Sequence, residues 1–155
     1  MKGKFKEIVD KFPGLLEELE NSQSFTRDEL KSTLDQGIYI FYEHDHPLYV
    51  GRSGREGRFK TRILEHSRPS SGHNKATFAF LIAKKETVSM GIDTEKSRDD
   101  LQDEQEFVKL YTKAKERVSK MRLRVIENND PIVQTLFEVY AALELNTPYN
   151  EWGTH

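Results

Sequence analysis

The sequence predicts an α/β chain: a β-hairpin and one further strand set among helices. Three observations carry this. Two β-branched and aromatic runs, 37–42 and 48–51, face each other across a polar turn. A third run, 122–127, alternates Leu123 and Val125 with polar neighbours. Helical apolar spacing marks 4–20, 101–121 and 131–145.

The elements follow in order. Phe5, Ile8, Val9, Phe12, Leu15, Leu16 and Leu19 have helical spacing on both sides of Pro13, which separates two short helices. Thr26 and Glu29 form a capping-box pattern opening a short helix through about Leu34, ended by Asp35 to Gly37. Gly37 to Tyr42 and Leu48 to Gly51 are the two strands of a hairpin turning through Glu43-His44-Asp45-His46-Pro47. A Gly- and Arg-rich loop, Gly51 to Gly57, leads to a helix from Phe59 to His66, and Arg68 to Asn74 is a second loop. Residues 76–85 stay open between strand and helix: Phe78, Phe80 and Ile82 alternate, while Ala76, Ala79 and Ala83 favour a helix. Residues 86–100 read as an exposed linker. Phe107, Leu110, Tyr111, Ala114, Val118 and Met121 then make one helical stripe. Asp130 as N-cap and Pro131 at the first helical position start the last helix, which Thr147-Pro148 stops.

The 155 residues suffice for one domain with its own core. With no cysteine, disulfides and thiolate metal sites are excluded. No apolar run approaches the ~20 residues of a membrane span. No apolar stretch follows the basic Met1-Lys2-Gly3-Lys4, so a secretory signal is not expected. The expectation is a soluble cytoplasmic protein without a membrane partner. Net charge is −2, but Arg52, Arg55, Arg58, Lys60, Arg62 and Arg68 against Glu56 and Glu65 make the 52–68 segment +4, leaving −6 elsewhere. Such a stripe is either a solvated face or a dock for phosphates.

Five residues could carry chemistry. Glu138 is an acid among Val133, Leu136, Phe137, Val139, Tyr140, Ala141, Ala142 and Leu143, a helix apolar enough to be mostly buried. A buried carboxylate needs compensation. Either a hard cation such as Mg²⁺ supplies it, or Glu138 pairs with an arginine at the core edge or lies on an exposed strip. Arg62 and His66, four apart on a helix, share a face: a phosphate reader beside a group that titrates near neutral pH, or a surface pair with Glu65 nearby. Tyr39 and Tyr49 are core tyrosines with hydroxyls at its edge, or phenols assisting proton transfer. His44 and His46 imitate a metal pair but belong to a turn, and Gly51-Arg52-Ser53-Gly54 lacks the spacing and Lys-Ser/Thr of a P-loop.

Taken together these residues resemble the GIY-YIG endonuclease family. Gly37-Ile38-Tyr39 supplies the first string and Tyr49-Val50-Gly51 the second, with Val for Ile. Arg62 and His66 have the family's Arg-x-x-x-His spacing. Glu138 followed by Pro148-Tyr149-Asn150 resembles its Glu…Pro-x-Asn ending, and Asn74 a further polar position. The resemblance covers about residues 36–152 and implies the family's fold, a small three-stranded antiparallel sheet flanked by helices over 36–155, with 1–35 as an N-terminal helical extension and about 86–120 as a helical insertion. It implies hydrolysis of DNA phosphodiesters with one divalent cation, Mg²⁺ or Mn²⁺, held by Glu138. It further implies Tyr39 as base, Arg62 on the phosphate charge, and Tyr49 and His66 as positioning groups. Arg52, Arg55, Arg58, Lys60, Asn74 and Asn150 would contact the substrate. The alternatives are an inactive nucleic-acid-binding module on the same fold, or an interaction protein that uses the 101–121 helix for a homo-oligomer or a partner protein. Neither the extension nor the insertion contains a zinc finger, a helix-turn-helix signature or a long basic arm.

Overall fold

In the computed structural model, residues 3–30, 34–54, 57–72, 75–90 and 105–152 are described. In chain order their elements are α1 (Lys4–Val9), α2 (Phe12–Glu20), β1 (Phe25–Thr26), a 3-10 turn (Arg27–Glu29), β2 (Gly37–Glu43), β3 (His46–Ser53), α3 (Phe59–Glu65), α4 (Thr77–Ser89), α5 (Gln105–Ser119), β4 (Arg122–Glu127) and α6 (Pro131–Leu145). They divide into two compact units, Met1–Lys60 with Arg122–His155, and Thr61–Met121. Among the described residues no helix is long and apolar enough to cross a membrane.

The first unit holds the sheet. Its strand order is β1-β4-β2-β3 with every pair antiparallel, so it has four strands and not the expected three. The additional strand is only Phe25 and Thr26, too short to show a period. It is pinned from β4, where Arg122 donates to the Ser24 hydroxyl at 2.8 Å and carbonyl at 3.0 Å. The Thr26–Glu29 capping box forms, but it caps one 3-10 turn and not a helix reaching Leu34. Leu30 turns extended, its side chain is buried, and its carbonyl accepts from Lys60 Nζ at 2.8 Å.

Alternation along β2 sends Ile38, Ile40 and Tyr42 to one face. There they pack with Phe12, Leu16 and Leu19 of α2, Val50 of β3, and Phe137, Ala141 and Ala142 of α6. The N-terminal helices therefore share the core of the sheet. Pro13 sits in the first turn of α2, where no backbone donor is required, and α1 stays separate. Helix α6 begins as its sequence dictates: Asp130 accepts from the Ile132 amide at 2.9 Å and the Val133 amide at 3.4 Å, and Pro131 follows. It is less buried than its composition suggests, with Leu143 63% exposed. Its outer side, with Phe5 and Val9 of α1, borders an open apolar groove of about 490 Å³.

The second unit decides the ambiguous segment. Residues Phe78 to Ala83 are buried without alternation, which a strand with one covered face cannot produce, and they form helix α4. The stripe of α5 packs on it, with Phe80 5.1 Å from Phe107 and 5.9 Å from Tyr111 between ring centroids. That stripe, read as a partner surface, is covered within the protein. The start of this expected helix, 101–104, and most of the 86–100 linker lie outside the described residues.

β3 is the outer strand, and its free side is closed by the segment after α6. Asn146, left-handed with φ 51°, ends the helix. The Tyr149 amide donates to the Leu48 carbonyl at 3.2 Å. Asn150 then accepts from the Val50 amide and donates to its carbonyl, both at 2.9 Å, in place of a neighbouring strand. Thr147 donates to the same Asn150 oxygen at 2.7 Å. We predict that Asn150→Ala, which leaves two strand groups unpaired, costs about 1–3 kcal/mol. A urea titration would show a lower midpoint at unchanged slope, and an unchanged midpoint would refute the edge-closing role.

Candidate active site

The hairpin turns through His44 and Asp45, both at positive φ (50° and 64°), the two-residue primed turn that suits twisted strands. Strand β3 accordingly starts at His46 and not at Leu48. Pro47 is tolerated because it lies on an edge strand beside the irregularity at Phe41/Tyr42. His44 and His46 are exposed. The register pairs Tyr39 with Gly51 and Phe41 with Tyr49. Tyr39 and Tyr49 are therefore diagonal neighbours on one face, the face away from the α2–α6 core.

Tyr39 is 1% exposed, with ring centroids of Phe41 at 5.7 Å and Phe59 at 6.0 Å. Its ring crosses β3 at Gly51: a Cβ there would run into Cε2, Cζ and the hydroxyl oxygen. Gly51 is what lets the phenol extend over the outer strand. We predict that Gly51→Ala costs about 1–3 kcal/mol by overpacking. Gly54→Ala, whose new methyl meets only the end of Arg52 at 3.0 Å and Gln134 at 3.4 Å, should cost less than about 1 kcal/mol. Equal thermal shifts for the two would contradict the close crossing.

On the other face, Arg52 stands opposite Ile38 and reaches α6, where its Nε lies 3.7 Å from Glu138 Oε2. The structure thus brings together two residues singled out separately. Their side chains are 38% and 21% exposed. A pair this open is worth about 0–1 kcal/mol, too little to hold the carboxylate against a divalent cation. One residue escaped the sequence reading. Gln134, fully buried one turn before Glu138, donates to the Asn128 carbonyl and lies beside Gly54. Its signal was a polar residue at i−4 from the acid on the same apolar helix. Asn150 is engaged by the Val50 backbone.

In the second unit, Arg62 lies on α3, while His66 falls one residue past its end, its amide donating to the Ile63 carbonyl at 3.2 Å. Arg62 Nη1 donates to the Lys75 carbonyl at 2.6 Å and sits 3.6 Å from Glu65 Oε2. His66 is fully buried, and burial, followed by the charge of Arg62, holds its pKa well below 6.5. It is neutral at neutral pH, able to orient a partner but not charged. Below pH 6.5 the unfolded chain takes up a proton that the folded chain refuses, so stability falls as pH falls. We predict a loss of at most about 1.4 kcal/mol per pH unit below 6.5 and none above it. His66→Gln should flatten that limb of the stability–pH curve, and parallel curves would exclude the assignment.

Of the basic stripe, Arg52 and Arg68 are exposed and Arg58 half-buried, while Lys60 is bonded to Leu30. Arg55 and Asn74 lie outside the described residues. Among the described residues no group of three or more His, Asp or Glu side chains could hold a metal. Glu138 is a single, partly exposed oxygen donor. That fits Mg²⁺ or Mn²⁺, which accept one or two carboxylates and complete their shell with water and phosphate oxygens. No protein-family model, no curated protein and no solved structure matches the chain.

Proposed function

We propose that this chain is a GIY-YIG-type endonuclease that hydrolyses DNA phosphodiester bonds with Mg²⁺ or Mn²⁺. The observation that carries the reading is the hairpin register: the two strings pair so that Tyr39 lies across Gly51 and shares a face with Tyr49. The acid expected to hold the cation lies beside an arginine of the same hairpin. In this reading water attacks phosphorus in line, the bond to the leaving oxygen breaks, and negative charge grows on the phosphoryl oxygens. The Arg62 guanidinium offsets that charge. The Tyr39 phenol orients the attacking water and, as phenolate, takes its proton, while the leaving oxygen takes a proton from solvent; cationic charge nearby favours the phenolate. Tyr49 and neutral His66 orient the reacting groups, and Arg52 takes up a phosphate when the substrate arrives. A divalent cation bound at Glu138 would supply further positive charge for the transition state.

The test is cleavage of plasmid, single-stranded and branched DNA, with RNA in parallel, in Mg²⁺ or Mn²⁺. The wild type should cut in a metal-dependent manner. Glu138→Ala, folded by circular dichroism, should lose about 100-fold or more. Undiminished cutting by the variant, or no cutting of any substrate by folded wild type, would overturn the reading.

A further inference from the structure

Helix α5 presents lysines to solvent at Lys109 and Lys113, but Lys115 is only 7% exposed, on the face that buries Tyr111, Ala114 and Val118. Burial lowers its pKa. A buried ammonium is costly unless its protons are satisfied, and a Met of similar length would fill the space without that penalty. Packing therefore does not explain a lysine here. What the ammonium adds is grip: Nζ donates to the Pro69 carbonyl at 2.8 Å and the Ser71 carbonyl at 3.2 Å, and rests 4.3 Å from the centroid of the Tyr111 ring. The Tyr111 hydroxyl donates to the same Ser71 carbonyl at 3.1 Å.

Both carbonyls belong to the loop that leaves His66. That loop runs in consecutive turns, with Ser67 and Arg68 donating to Leu64 and Ser71 donating to Arg68. Further along, Arg62 holds the Lys75 carbonyl. The stretch after the histidine is thus tied by α5 at 69 and 71 and by α3 at 75.

We propose that Lys115 and Tyr111 are positioning residues for His66: through them the inserted helix fixes the loop that keeps the imidazole in place. The proposal rests on the reading of His66 as a working residue of the nuclease. It gives the insertion, which lies outside the family core, a role in the site without any contact to substrate.

The experiment compares the full chain with Lys115→Met and Lys115→Arg. Three quantities are read: urea stability, hydrogen exchange of the Ser67, Arg68 and Ser71 amides, and the NMR titration of the His66 imidazole. Lys115→Met should keep or gain global stability. Its loop amides should exchange about tenfold faster or more, and its imidazole should titrate closer to 6.5, the ordinary value. Lys115→Arg, which still carries donors, should resemble the wild type. Wild-type exchange and titration in Lys115→Met would overturn the proposal. If Lys115→Met fails to fold, Tyr111→Phe, which removes one bond to Ser71, decides in its place: faster exchange supports the proposal and wild-type exchange overturns it. Where the wild type cleaves DNA, kcat should fall in Lys115→Met at unchanged KM. Where it does not, the nuclease reading fails, while exchange and titration still judge the brace.

Discussion

The passage of the Tyr39 ring over Gly51 is the constraint on which the first unit depends. It exists in a single register of the β2–β3 hairpin. A slip by one residue would put the side chain of Val50 or Arg52 beneath the ring. The same slip would turn Ile38, Ile40 and Tyr42 out of the core and away from Phe12 and Phe137. One contact between a phenol and a bare backbone therefore sets strand register, core composition and the position of a hydroxyl together. The left-handed pair His44 and Asp45 supports that register from the closed end of the hairpin.

Polar groups are handled in two ways. Glu138 and Arg52 meet at a partly open surface, where the pair is weak and either member can change partner. His66 and Lys115 are shut away from water, one by losing its charge and the other by facing carbonyls and an aromatic ring. The open pair leaves a carboxylate and a guanidinium each able to take a new partner. The histidine and lysine are committed to the framework around them.

Much of the fold was legible because its elements announce themselves locally. β2 is a run of Ile, Tyr and Phe, α6 opens with Asp130-Pro131, and α5 carries one clear stripe. What escaped depends on partners distant in sequence. Two residues at 25–26 have no period of their own and become a strand only because β4 lies alongside. Pro47 looked like turn because an edge position is not written in the residues around it. Of the candidate site, the tyrosines' shared face followed from alternation, whereas the Arg52–Glu138 pairing and the full burial of His66 are tertiary facts. Lys115 was hidden for the same reason, since among the lysines of α5 only packing separates the buried one from the others.

The clasp of Asn150 on Val50 joins residues one hundred positions apart. On a ribosome the hairpin is available long before its clasp is made. At about 5–20 residues per second, its outer strand would wait on the order of ten seconds for residue 150. Through that interval a β-branched and aromatic edge is open to strands of neighbouring nascent chains. The native clasp is thus among the most non-local contacts of the protein, and the speed with which it forms sets how long newly made molecules are exposed to mispairing.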